Sequence, residues 1–182
     1  MDGAEAERGL TEEGHGHAKA IAARILAVEP NVRAIFSSPY KRAVLTVEPL
    51  SQSLGLPIAV VDDLHEKHIT DQADADIKQA RRQMWSDPNW KFPDGESNVE
   101  AQTRALNGLA AIRAQVPEGS VVAGAHGTLI ALILNAFDPA FGYDAWLSMP
   151  MPDIYRLDFD GDRFVRREHI GCPVDDAFKV TG

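Results

Sequence analysis

The chain has 182 residues, 45% hydrophobic and 25% charged, an ordinary globular balance that fits one core and a single domain over 1–182. Its formal net charge of −9 argues against broad contact with nucleic acid or an anionic membrane, both of which call for a basic face. Cys172 is the single cysteine, which rules out an intramolecular disulfide and suits a reducing, cytoplasmic setting.

Met1 to Glu5 is acidic and lacks the apolar core of a secretory signal. Thr11 then precedes apolar residues at Ala18, Ile21, Ala22, Ile25 and Leu26, a helical spacing with an N-cap and acids in the first turn, closed near Pro30. Ala34 to Phe36 reads as a buried strand that stops at Ser37-Ser38-Pro39. A second helix follows through Val44, Val47, Leu50 and Leu54 and ends at Gly55. The β-branched run Ile58 to Val61 predicts another strand.

From Lys67 to Pro93 the pattern is polar, with Trp85 and Trp90 as anchors, and reads as an inserted helical segment plus loop. Ser97-Asn98-Val99-Glu100 is a capping box that opens a third long helix, closed by Pro117 and Gly119. Ser120 to Ala125 reads as a strand and Thr128 to Phe137 as a helix. That apolar stretch is too short to cross a bilayer, which takes about 20 residues. Ile154 to Phe159 and Phe164 to His169 alternate around Asp160-Gly161-Asp162, a hairpin signal. This order predicts a three-layer α/β/α sandwich with a mostly parallel sheet and the hairpin as an antiparallel edge. The chain opens on a helix, whereas sheets of this kind usually begin with a strand.

Three segments could carry chemistry. In Val121 to Ile130 a strand runs into His126-Gly127-Thr128 and a helix. The free amides of Gly127, Thr128 and Leu129 suit an anion there, with His126 over the same spot. In Phe36 to Thr46, Arg42 sits in the first turn of a helix that follows a strand, where a guanidinium grips phosphate in bidentate fashion. In Leu64-His65-Glu66-Lys67-His68, Glu66 is a carboxyl able to protonate a leaving oxygen. The spacing of His65, Glu66 and His68 is not that of a zinc helix, and His15 and His17 read as exposed helix residues, so no metal is expected.

In order along the chain, Leu10-Thr11-Glu12-Glu13-Gly14, Ser37-Ser38-Pro39-Tyr40-Lys41-Arg42-Ala43-Val44-Leu45-Thr46, Leu64-His65-Glu66, Pro93-Asp94-Gly95-Glu96-Ser97, Ala125-His126-Gly127-Thr128 and Met149 to Tyr155 resemble the motifs of the histidine phosphatase (phosphoglycerate-mutase-like) superfamily. The resemblance implies a phosphohistidine intermediate on a small phosphorylated substrate, without metal or organic cofactor. It gives Arg42 the phosphate, Glu66 the leaving group and His126 a donor role toward the phosphoryl oxygens. It also implies a phosphatase rather than a mutase, because the 28 residues between Glu66 and Gly95 are short for the mutase insert.

The family's Arg-His-Gly strand, which carries the nucleophile, has no match before Leu10. The sequence is truncated, or the strand is naturally lost, or the motif lies elsewhere. A catalytically inactive phosphate- or partner-binding module is therefore the alternative reading. With that strand missing, the strands at 34–36 and 121–125, both read as buried on two faces, are expected either to close up as neighbours or to leave an open channel between them, and the open channel is favoured. Raw sheet edges there would invite a homo-oligomer.

Overall fold

The computed structural model describes residues 3–171 and 178–179; Cys172 lies outside them. The first elements are α1 (Gly3–Glu7), α2 (Glu12–Val28), β1 (Val32–Ser37), α3 (Lys41–Leu54), β2 (Ile58–Val60) and a 3-10 turn at Asp62–Leu64. There follow α4 (Ile77–Ser86), α5 (Asn98–Gln115), β3 (Ser120–Gly124), α6 (Gly127–Phe137) and α7 (Tyr143–Ser148). The last elements are β4 (Pro150–Met151), β5 (Tyr155–Asp160), β6 (Arg163–His169) and β7 (Phe178–Lys179).

The caps form as the sequence predicts. Thr11 accepts from the Gly14 amide, and Ser97 and Glu100 complete their reciprocal box. α1, α7 and the two-residue pair of β4 with β7 carried no sequence signal, being too short to show a period.

β2, β1 and β3 form a parallel sheet in that order. Helices cover both faces, so the α/β sandwich with a parallel sheet stands. Ile35 and Val32 point to α2 and α3 among Ile21, Ile25, Val47 and Leu50, while Phe36 points to α5 and α6 among Ala101, Ala105, Leu129 and Leu132. Strict alternation would turn Val32 to the Phe36 side. The register shift between Val32 and Ala34 brings it to the α2/α3 side instead. Ile35 and Phe36, both nearly inaccessible, each contribute about 1.5–3 kcal/mol by leaving water.

Three expectations fail in an instructive way. No open channel separates β1 from β3: the two pair directly from Val32↔Ser120 to Ser37↔Gly124. The expectation treated helix packing as a spacer, but α3 packs against both strands and draws them together. The β5–β6 hairpin is not an edge of this sheet. It forms its own two-stranded ladder, anchored by Phe137 of α6 stacked on Phe164 at 4.5 Å and by Arg113 of α5 over the Phe159 ring at 4.2 Å. Finally, β3 is not buried on two faces, since Ala123 is exposed. Among the described residues, the edge of β3 opposite β1 pairs with no strand. Among the same residues, no helix is long and apolar enough to cross a membrane.

Candidate active site

Because β1 and β3 end in register at Ser37 and Gly124, their carboxyl ends finish side by side. Ser38 extends the ladder by one step, its amide donating to the Gly124 carbonyl at 2.8 Å. The chain then turns through Tyr40 into α3 on one side and through His126 into α6 on the other. Gly124 permits this closeness. A Cβ there would stand 3.0 Å from Val47 Cγ1 and 3.2 Å from the Ala43 carbonyl, so any larger residue would push the first turns of α3 away from β3.

His126 is 5% exposed, with Nε2 2.7 Å from the Ser38 hydroxyl and its ring edge-on to Tyr40 at 5.1 Å. Burial, and then the positive charge of Arg42, push its pKa down to about 3, so the ring is neutral at pH 7. Arg42 lies against the same tyrosine, its guanidinium carbon 4.8 Å from the ring centroid. Its Nη1 donates to the Glu5 carbonyl at 3.1 Å and meets the Glu5 carboxylate at 3.0 Å. Tyr40 thus has the imidazole and the guanidinium as neighbours, and α1 supplies the guanidinium with an acidic partner.

Glu66 is partly buried, and burial raises its carboxyl above the usual range. The Lys67 amide, 2.9 Å from Oε1, and the charges of Arg42, Arg81 and Arg104 pull the other way. Arg104 fixes the loop that carries it. One nitrogen donates to the Asp63 and His65 carbonyls at 2.6 and 3.1 Å, while the other two pair with Glu96 at 2.9 and 2.8 Å.

The Pro93-to-Ser97 motif acts as a brace for the same loop. Asp94 accepts from the Thr70 hydroxyl and the Asp71 amide, Glu96 holds Arg104, and Ser97 caps α5.

At the start of α6 the first amide to close a helical bond is that of Ile130, to the His126 carbonyl. The amides of Gly127 and Thr128 point out of the helix end. Met151 covers Gly127 closely, and Thr128 lines a narrow cavity with Lys67, Ile69, Arg81, Met84, Trp85, Asn98 and Trp146. Lys67 is buried with neutral partners, Asn98 Oδ1 at 2.5 Å and Met84 Sδ at 2.9 Å. Burial pushes its pKa down to about 8.

His17 sits 3.7 Å from Glu13, and the His65 ring donates to the Asp62 carbonyl. His68 meets Asp71 at 3.4 Å beside Asp94, an arrangement whose Asp94 oxygens are already taken up in bracing the loop.

Sequence reasoning gave no role to Ser38, Tyr40, Lys67, Arg104 or Glu5. Ser38 and Tyr40 lay inside a quoted motif; the role of Arg104 depends on a contact 41 residues away and left no local signal. Chemically, a guanidinium, a neutral imidazole and a carboxyl of raised pKa in one neighbourhood can bind, polarise and protonate a phosphate ester.

The same chain resembles several known proteins. It is 33% identical over 101 residues to the uncharacterized phosphatase PhoE of Bacillus subtilis, covering 56% of this chain and 51% of that protein. It is 32% identical over 136 residues to glucosyl-3-phosphoglycerate phosphatase of Mycobacterium tuberculosis, covering 66% of this chain and 61% of that one. The match therefore spans only about half to three-fifths of these relatives. A mycobacterial glucosyl-3-phosphoglycerate phosphatase bound to VO3 superposes with a TM-score of 0.74 at 29% identity, over 91% of this chain and 87% of its own. The same enzyme with inorganic phosphate gives 0.72 at 29%, over 90% and 87%. A family model described as the histidine phosphatase superfamily, branch 1, matches residues 3–169, and the chain belongs to that superfamily.

Proposed function

We propose that residues 1–182 form one histidine-phosphatase domain, N-terminally incomplete, whose site binds the phosphoryl group of a small phosphorylated metabolite in the cytoplasm. The observation that carries this reading is the convergence of Arg42 and His126 on Tyr40, at the carboxyl ends of two paired parallel strands. Arg42 holds the phosphate, His126 and the amides of Gly127 and Thr128 donate to its oxygens, and Glu66 protonates the leaving oxygen. The phosphatase names of the relatives and the phosphate and VO3 complexes of a structural neighbour support the substrate class. Neither metal nor organic cofactor enters this chemistry.

The nucleophilic histidine, and the phosphohistidine formed on it, belong in this reading to a strand outside the 182 residues. Direct pairing of β1 with β3 leaves no room for that strand between them. Among the described residues the edge of β3 opposite β1 pairs with no strand, and in this reading the missing strand docks along it. A second reading, an inactive phosphate- or partner-binding module, is favoured by one contact: Glu5 already engages Arg42 with both its carbonyl and its carboxylate.

Hydrolysis of p-nitrophenyl phosphate tests the proposal. The 182-residue chain is expected to give no turnover above background. A chain extended upstream by an in-frame strand ending in Arg-His-Gly is expected to turn over and to lose activity with His126→Ala. Robust turnover by the 182-residue chain, abolished by His126→Ala, would overturn the assignment of the nucleophile to a missing strand.

A further inference from the structure

The mechanism above uses His126 as a donor, and a neutral imidazole has a single N–H to donate. Which nitrogen carries it is decided by what the other nitrogen meets. Nε2 meets Ser38. That serine is fully buried, and its Oγ already accepts the Tyr40 amide at 3.2 Å while standing 2.7 Å from Nε2.

The hydroxyl carries one proton that must find an acceptor, because a buried donor left unmet is costly. Among the described residues, the structure shows no acceptor bonded to it other than His126 Nε2. If Nε2 carried the ring proton instead, it and the serine proton would compete for one short contact, and the serine proton would be stranded.

The Ser38 backbone is itself fixed, since its amide donates to the Gly124 carbonyl at 2.8 Å. The hydroxyl is thus held at the junction of β1 and β3 by both strands. The depressed pKa of His126 fits this arrangement, because a neutral ring must have one bare nitrogen.

We propose that Ser38 is the positioning residue of the site: its hydroxyl donates to His126 Nε2 and locks the imidazole as the Nδ1–H tautomer, leaving Nδ1 as the nitrogen that donates to the bound anion. The inference rests on the phosphate-site reading but is read out separately from it. Ser38 acts through His126 and makes no contact of its own with the reacting atoms.

The test uses the 182-residue chain labelled with 15N at histidine, with orthophosphate as the probe. At pH 7 the imidazole correlation spectrum of His126 is expected to show a protonated Nδ1 and a bare Nε2. Ser38→Ala is expected to convert this to a mixture dominated by the Nε2–H tautomer and to weaken orthophosphate binding by the inverse of the Nδ1–H fraction that remains, about tenfold if that fraction falls to about a tenth. Ser38→Thr keeps the hydroxyl and is expected to restore both. If its added methyl prevents folding, Ser38→Cys, a weaker donor, is expected to give intermediate values.

A protonated Nε2 in the wild type would overturn the proposal. So would a Ser38→Ala variant whose tautomer and affinity are unchanged. If the wild type fails to bind orthophosphate but shows the Nδ1–H tautomer, lost in Ser38→Ala, the phosphate reading falls while the tautomer lock stands.

Discussion

Burial of a neutral His126 should make the fold acid-sensitive through this one group. Its pKa falls from 6.5 to about 3 on folding. Between those limits the unfolded chain holds a proton that the native state refuses, so stability is fully present above pH 6.5 and is lost as pH falls toward 3. One proton is worth about 1.4 kcal/mol per pH unit, which amounts to roughly 3 kcal/mol by pH 4. His126→Gln keeps an amide near the Ser38 hydroxyl but does not titrate. We would measure urea unfolding by tryptophan fluorescence at pH 7 and pH 4 for both proteins. Carboxylate titration is shared by the two, so the difference of differences isolates His126. The wild type should lose about 3 kcal/mol more than His126→Gln between these pH values. Parallel losses would refute the reasoning, because they would mean that His126 protonates in the native state as easily as in the unfolded chain.

Other consequences follow from buried groups and braces. Lys67 acts in the same sense in an alkaline window: its pKa falls from 10.5 to about 8 on folding, so stability rises as pH climbs between them. Lys67→Met should abolish a gain of about 3 kcal/mol measured by urea unfolding from pH 7 to pH 10.5. Gly95→Ala should lower thermal stability and dislodge the Glu66 loop, since its Cβ would collide with the Ile69 carbonyl oxygen, a backbone atom that cannot yield by rotating a side chain. An unchanged melting temperature would contradict that. Ser97→Ala removes the cap of α5 and should cost about 1 kcal/mol, or roughly 2–4 °C by calorimetry in a chain of this size.

The fold was legible wherever a local rule operated. Thr11 and Ser97 announced helix starts through their caps, and the apolar runs of β1 and β3 announced strands. His126 and Arg42 were found because each follows a strand end, where parallel sheets gather ligands. What escaped the sequence depends on distant partners. Apolar character suggested that β3 was buried on both faces, yet Ala123 is exposed, because burial depends on whether a neighbour covers the strand. The pairing of β1 with β3 is set by α3 packing against both, with Gly124 allowing the approach. Periodicity carries no record of such a contact. The bonds of Arg104 to Asp63 and His65, and of Glu5 to Arg42, likewise join residues far apart in the chain.

The central claim is that Arg42 and His126 make a phosphate seat. Calorimetric titration of the 182-residue chain with orthophosphate, beside Arg42→Ala and Glu5→Ala, tests it most directly. Charged hydrogen bonds are worth about 1.5–3 kcal/mol each, so Arg42→Ala should weaken binding roughly 10- to 100-fold. Glu5→Ala should strengthen it, because the carboxylate 3.0 Å from the Arg42 guanidinium would no longer compete with the ion. Saturable binding with those two opposite shifts is the predicted result. Absence of saturable binding in the wild type, or equal affinity in Arg42→Ala, would contradict the account.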